Sequence, residues 1–252
     1  MSESILSILF SITAFLYAIV GFGGGSTYNS LLVMGGFDFQ YIPIISLTCN
    51  LVVVSGGLIY FGRAGHLKPG IVAPFLVTSV PAAYFGGTVA ISEQWFIVIL
   101  GLSLLVSGLL LLNPRPRQRI RVLSPSSRWM ISLPAGAMLG LLSGLTGIGG
   151  GIFLAPLMYL AGWARPRVIA ASASLFIFVN SAAGLAGHLG KFMTTQEPGL
   201  LLTYITLPLA VVIGGQFGSF FGSGIIGERV VRRMTGCLVL LVGTRILFRT
   251  LI

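Results

Sequence analysis

The sequence predicts an all-α polytopic membrane protein with about 8 to 10 transmembrane segments in two homologous halves, each with a glycine-broken or re-entrant helix. Three observations predict it. Hydrophobic residues make up 55% of the 252 residues, charged residues make up 8%, and apolar stretches recur along the chain. Soluble domains carry roughly 25% charged residues, so this composition excludes an ordinary soluble protein. The formal net charge of +10 is therefore interpreted as a topology signal and not as a nucleic-acid footprint.

Apolar stretches that could enter a bilayer are separated by short polar breaks. A spanning helix needs about 20 apolar residues. The predicted segments are 5–20, 26–34, 41–61, 71–91, 94–112, 129–145, 152–160, 168–187, 200–221 and 234–248. Two of them, 26–34 and 152–160, are too short to cross the bilayer comfortably. The first segment is interpreted as a retained helix, because the residues before it include Glu3 and no Lys or Arg, unlike a signal peptide.

One hydrophilic stretch, residues 113–128, divides the chain. It carries five arginines, three prolines and no acid, and the positive-inside rule places it in the cytoplasm. Binding of anionic lipid is a lesser interpretation of these arginines. We therefore predict a first transmembrane repeat over residues 1–112, a cytoplasmic basic linker over 113–128 and a second transmembrane repeat over 129–252.

Matching motifs in the two halves predict an internal repeat. The run Gly21-Phe22-Gly23-Gly24-Gly25 is echoed at residues 147–151, and a serine follows each run at the same distance, Ser46 and Ser172. Each Gly in a helix costs roughly 1 kcal/mol relative to Ala, so the chain should break at both runs. Transporters with two repeats bind substrate at the repeat interface, where short glycine-interrupted helices mark the site.

Two topologies are compatible with this repeat. If each half has four full spans, the halves are parallel, with ten Lys and Arg inside and five outside. If each glycine run turns the chain back, the halves are inverted and both termini lie outside, with twelve cations inside and only Lys191, Arg245 and Arg249 outside. The charge bias favours inverted repeats.

The membrane interior is predicted to lack acids, because all five Asp and Glu residues fall in predicted ends or loops. This argues against a cation pump and favours anions or neutral solutes. A helix that begins after each glycine run directs unpaired N–H groups and its positive dipole end into the break, which suits an anion. Close helix packing is the alternative reading of the same small residues. The candidate substrate-binding residues are Gly23, Gly24, Gly25, Ser26, Thr27, Asn29, Ser46, Thr48, Asn50, Gly149, Gly150, Gly151, Ser172, Ser174 and Asn180.

The sequence contains few residues suited to metal binding, disulfide formation or catalysis. The two cysteines lie within apolar segments and only two histidines are present, so no metal site, disulfide, catalytic residue or cofactor is expected. His66 and His188 stand in matching Gly-His-Leu steps at comparable predicted helix ends. They would either gate or sense pH, or anchor and cap the helix end.

The glycine-run repeats, the polar helix after each run and the central basic linker together resemble the TauE/SafE family of sulfite and organosulfonate exporters. The resemblance extends from Gly21 to about Gly243 and includes the Ser-Leu steps at Ser46 and Ser174. It implies a secondary transporter in the cytoplasmic membrane of a prokaryote that exports small sulfur-containing anions such as sulfite, thiosulfate or organosulfonates by alternating access. The implied partners are the anionic substrate, the lipid bilayer and a coupling proton or sodium ion, with no nucleic acid.

Two other functions stay open at this point. An anion channel would differ by conductance without saturation, and a membrane-embedded enzyme is weaker because no catalytic constellation is placed at membrane depth. The two half-sites also differ, since residues 26–29 are Ser-Thr-Tyr-Asn where residues 152–155 are Ile-Phe-Leu-Ala. The first half is therefore expected to supply most side-chain contacts to a shared substrate.

Overall fold

The computed structural model describes residues 3–89, 125–195 and 204–227, with scattered positions between 92 and 109 and between 230 and 244. Every regular element in these ranges is a helix, which confirms the all-α prediction. The helices are α1 Glu3–Ala18, α2 Gly25–Met34, α3 Ile42–Arg63, α4 Pro69–Thr88, α5 Pro125–Thr146, α6 Gly151–Ala161, α7 Pro166–Thr195 and α8 Thr206–Gly224. Five of them, α3, α4, α5, α7 and α8, are long and apolar enough to cross a membrane. Most of the linker and of segments 94–112 and 234–248 lies outside the described residues.

Several helix boundaries differ from the prediction, and α8, for example, begins at Thr206 where the predicted segment begins at residue 200. Helix α5 begins at Pro125, inside the predicted linker, because proline suits the first position of a helix. Helix α7 continues to Thr195, beyond the predicted end at residue 187. The single glycine in this extension, Gly190, is tolerated within a long helix. The prediction that the two histidines occupy comparable helix ends is therefore wrong: His66 lies in the turn after α3, whereas His188 lies within α7.

Two glycine stripes, each with a glycine at every fourth residue, let helices pack at close range. A Cβ atom at any of these positions would meet a backbone carbonyl of the neighbouring helix, which is the close approach that small residues permit in membranes. Contacting residue numbers rise together in both pairs, so α5 runs parallel to α4 and α8 runs parallel to α1. The stripes are Gly136, Gly140 and Gly144 of α5 against Phe75, Ser79 and Ala83 of α4, and Gly214, Gly218 and Gly222 of α8 against Ser11 and Phe15 of α1 and Ile19 just beyond its end.

We group the helices by their contacts into two bundles that do not coincide with the sequence halves, and α3 packs as extensively on α7 of the other bundle as on α8 of its own. The first bundle contains α1, α2, α3 and α8, and the second contains α4, α5, α6 and α7. Each bundle thus takes three helices from one half and one from the other. The principal contact between the bundles is α3 against α7. These two helices are antiparallel, because Leu47 lies by Gly184 whereas Gly57, further along α3, lies by Ser174.

The chain reverses direction at the glycine run between α1 and α2. Phe10 stacks on Tyr28 with ring centroids 4.5 Å apart, and Tyr17 lies 3.2 Å from Ser26, so the two helices are antiparallel. Helix α3 runs parallel to α8, since Val53 lies by Gly215 and Tyr60 packs on Phe220. Helices α1 and α3 therefore point the same way, and α2 returns the chain between them.

Corresponding helices of the two halves run in opposite directions. Ala83 of α4 lies by Gly184 of α7, and Gly87 lies by His188, so α4, α5 and α7 are parallel to one another. Helix α6 must then return the chain from the end of α5 to the start of α7. These directions agree with the inverted arrangement that the charge distribution favours.

Candidate functional site

Glycines with positive φ end the regular helix at both runs. Gly24 (φ 97°) caps α2, and Gly149 (φ 86°) and Gly150 (φ 76°) precede α6. Residues with a Cβ are strained in this region. Space is short as well, because a Cβ on Gly24 would lie 2.8 Å from the ring of Tyr28. The two breaks therefore need glycine for both backbone and packing reasons.

The two breaks meet at Asn50, a buried residue of α3. Its Nδ2 donates a hydrogen bond to the carbonyl of Ile148, in the second run, at 2.8 Å. In the first run, a Cβ on Gly23 would collide with Oδ1 of Asn50. A Cβ on Gly25 would lie 2.7 Å from Nδ2 of Asn50 and 3.0 Å from the Cα of Ile148. The structure thus brings the predicted glycines of both halves to one buried centre.

The starts of α2 and α6 supply backbone donors at this centre. Backbone hydrogen bonding begins at Thr27, whose N–H donates to Gly24 at 3.0 Å, and at Phe153, whose N–H donates to Gly150 at 3.1 Å. The backbone N–H groups of the residues just before Thr27 and Phe153 are among those that a helix leaves without an internal partner. They also mark the positive end of the helix dipole. No Asp, Glu, Lys or Arg within the described part of the chain is buried beside them.

Three hydroxyl groups lie together at the first break. Tyr17 OH is 3.2 Å from Ser26 Oγ, and Thr27 Oγ1 donates to Tyr17 OH at 2.9 Å. Tyr17 was not among the predicted site residues, because an aromatic residue in the last turn of a membrane helix usually packs. Comparison of the two halves could have indicated it, because Tyr17 and Ser143 are both polar residues four positions before the first glycine of their run. Ser143 is buried, with its Cβ 3.1 Å from the Cβ position of Gly150.

The second break is mainly apolar. Ile177 lies against both Gly149 and Gly151, and Phe176 lies against Gly150. Two serines also line it, since Ser181 Oγ would be 2.7 Å from a Cβ on Gly149 and Ser143 lies beside Gly150. The two sides of the centre therefore differ in chemistry, with hydroxyl groups at the first break and mainly aliphatic and aromatic groups at the second.

Hydrogen bonds from side chains join the two bundles across this centre. Asn29 Nδ2 donates to the carbonyl of Thr146 at 2.6 Å. From the second bundle to the first, Ser174 Oγ donates to the carbonyl of Gly21 at 3.0 Å. With the Asn50 bond, three predicted residues therefore connect one bundle to the backbone beside the other bundle's break.

Several buried polar atoms on the helices that contact the breaks have no protein partner. Buried polar groups are rarely left unpaired, so atoms of this kind are available to a small solute or to water. They include Asn29 Oδ1, Asn50 Oδ1, Ser143 Oγ, Ser172 Oγ, Asn180 Oδ1 and Ser181 Oγ.

Other predicted residues donate hydrogen bonds to backbone carbonyls in their own half of the chain. Ser46 Oγ donates to Gly25 at 3.1 Å, and Asn180 Nδ2 donates to Phe176 at 2.8 Å. Thr48 lies apart from the breaks: its Oγ1 donates to Ile44 of the same helix, and it lines an apolar groove of about 210 Å³ between the bundles. Within the described ranges, no cluster of three His, Cys, Asp or Glu residues is arranged to hold a metal ion.

Comparisons with known proteins agree on the class of protein. A family model described as "Sulfite exporter TauE/SafE" matches residues 6–246. The chain is 31% identical over 245 residues to the "Probable membrane transporter protein y4hK" of Sinorhizobium fredii (strain NBRC 101917 / NGR234), covering 96% of this chain and 97% of that protein. No solved structure matches the chain.

Proposed function

The chain belongs to the sulfite exporter TauE/SafE family of membrane transporters, and we propose that it exports small sulfur-containing anions across the cytoplasmic membrane. Sulfite, thiosulfate and organosulfonates are the proposed substrates. Its family and its five apolar helices make it a multi-pass membrane protein.

The convergence of both glycine breaks on Asn50 is the observation that carries this proposal. An anion between the breaks would receive N–H groups from the starts of α2 and α6 together with the hydroxyl groups of Tyr17 and Ser26. No buried carboxylate within the described residues opposes it. Neutral donors hold an anion less tightly than a paired cation would, which favours release on the other side.

Alternating access is proposed to occur by rocking of the two bundles and not of the two sequence repeats. The glycine stripes hold α1 on α8 and α4 on α5, so each of these pairs moves as one body. The bonds Asn50–Ile148, Asn29–Thr146 and Ser174–Gly21 cross the moving boundary. Each contributes on the order of 1 kcal/mol, so they can exchange during a transport cycle.

Substrate flux in proteoliposomes tests the proposal. Purified protein would be assayed with sulfite, thiosulfate, sulfate, sulfoacetate and taurine, and we expect saturable counterflow of at least one of the sulfur anions. Ionic conductance that does not saturate would instead indicate an anion channel. Saturable flux of none of the five would contradict the proposed function.

A further inference from the structure

His188 is a buried titratable residue at the boundary between the bundles. It is 5% exposed, and among the described residues it is the buried side chain whose ordinary ionisation lies near neutral pH. Its Nε2 lies 2.7 Å from the carbonyl of Gly144. Because a carbonyl only accepts, Nε2 must carry a hydrogen, and an additional proton would be taken up at Nδ1.

The partner of His188 lies in the last turn of α5, just before the second break. Helices leave carbonyl groups unpaired in this turn, and the negative end of the helix dipole stabilises a nearby positive charge. Protonation of His188 would therefore strengthen its hold on Gly144, three residues before Gly147. The imidazole is thus connected through one hydrogen bond to the backbone that shapes the substrate centre.

A small cavity lies beside His188. It has a volume of about 30 Å³, room for about one or two water molecules. The first bundle contributes the segment between α2 and α3 and the start of α3, and the second bundle contributes the ends of α4 and α5 and two residues within α7. The lining residues are Phe39, Gln40, Pro43, Val89, Leu145, His188 and Lys191.

The charged groups around this cavity are few. Lys191, one turn beyond His188 on α7, lines it directly. Helices α4 and α5 bring no charged side chain to the cavity, and Pro43 is the lining residue contributed by α3. Asp38 is exposed in the segment before α3, where it accepts a hydrogen bond from the Gln40 N–H at 3.0 Å. No carboxylate is thus among the lining residues to hold a proton in place of His188.

We propose that His188 carries a proton that is transported together with the anion, an inference that rests on the proposed function. A bound anion attracts the imidazolium, and the imidazolium favours anion binding to the same degree, because linkage is reciprocal. Nδ1 takes a proton on the side where the anion binds, the bundles rock, and Nδ1 returns the proton to water on the side where the anion is released. With a dianion and one proton, each cycle still moves net negative charge, so an interior-negative membrane potential drives export.

Thiosulfate and sulfoacetate are suitable probes, because the charge of each changes little around neutral pH. In proteoliposomes with a transmembrane pH gradient and the voltage clamped by an ionophore, wild-type protein should move these anions faster toward the alkaline side. A pH dye in weakly buffered vesicles should report protons moving with them. Anion flux in wild-type protein without proton movement would overturn the proposal.

His188→Gln separates proton carriage from structure, since glutamine can still donate to Gly144 but does not titrate. We expect this variant to retain saturable counterflow at equal pH, with a raised KM for the anion, and to lose at least about 80% of the pH-gradient stimulation. His66→Gln, in the turn after α3, is the matched control and should keep both. Equal stimulation in wild type and His188→Gln overturns the proton role and leaves the proposed function intact, whereas absent wild-type counterflow of every anion contradicts both.

Discussion

The side-chain amide of Asn50 donates to the backbone carbonyl of Ile148 at 2.8 Å, so a residue of the first half of the chain holds the glycine run of the second half. The reciprocal relationship exists as well, because Ser174 of α7 donates to Gly21 in the first run at 3.0 Å. Each central helix thus reaches across to the opposite break. The positions of the two helix starts are consequently set by bonds between the two halves of the chain and not only within each half.

Replacing Asn50 by Ala is expected to lower transport by at least about tenfold. The carbonyl of Ile148 would be left buried and unpaired, a cost of about 1–3 kcal/mol, and roughly 1.4 kcal/mol corresponds to a tenfold change. Counterflow of the transported anion, normalised to folded protein, measures the effect. Ser55→Ala is the matched control, because Ser55 bonds only to Val52 of its own helix. Wild-type counterflow in the Asn50 variant would remove Asn50 from the site.

The chemical difference between the breaks predicts unequal effects at equivalent positions. Ser26→Ala removes a hydroxyl at the first break and should raise the KM for the anion several-fold, since one hydrogen bond contributes about 1 kcal/mol. Asn29→Ala should weaken transport similarly. Ile152→Ala, at the position equivalent to Ser26, removes no donor and should change KM less. Equal changes in KM for Ser26→Ala and Ile152→Ala would count against the asymmetry.

Tyr17→Phe tests the hydroxyl group that sequence patterns did not indicate. The ring is retained, so packing in α1 should be preserved, while the bonds to Ser26 and Thr27 are lost. We expect a KM increase of about threefold to tenfold with little change in melting temperature. Tyr60→Phe, which keeps the ring that packs on Phe220, should leave both quantities as in wild type. A Tyr17→Phe protein with lowered stability and normal KM would indicate a structural role only.

The glycines of the second break are expected to resist substitution. Gly149→Ala places a Cβ on a residue with φ of 86° and within 2.7 Å of Ile177 and Ser181, and the backbone strain alone costs about 1–2 kcal/mol. Its melting temperature should fall and its transport should be lost. Gly190→Ala is the opposite case, because this glycine is in α7 with no atom within 4 Å of its Cβ position. Alanine there should stabilise the helix by about 0.5–1 kcal/mol, and thermal unfolding in detergent compares the two.

Local patterns predicted the short helices well. The apolar stretches 26–34 and 152–160 correspond to α2 and α6 within one residue at each end, because glycines precede both helices and Gly35 and Gly162 follow them. Glu3 and Asp38 are the acids within the described residues, and both are exposed as the sequence predicts, whereas Glu93, Glu197 and Glu228 lie outside those residues. Such features depend on the chain near each residue and require no knowledge of its partners.

Packing partners could not be predicted in the same way. Glycines at every fourth residue of α5 and α8 show that something packs closely there, but they do not identify α4 and α1 as the neighbours. The exchange of α4 and α8 between the bundles depends on these contacts. His188 illustrates the same limit, since its role follows from the carbonyl of Gly144, 44 residues away in sequence.

The helix directions together with the charge distribution predict which side of the membrane each loop faces. Arg63 ends α3, and the turn after it contains Lys68, so this end of the bundles should lie in the cytoplasm with the linker. Asp38, before α3, should then lie outside with the cavity of His188. In a background of Cys49→Ala and Cys237→Ser, a membrane-impermeant maleimide should label Asp38→Cys in intact cells and Lys68→Cys only after permeabilisation. The reverse pattern would contradict this orientation and would place the cavity of His188 on the cytoplasmic side.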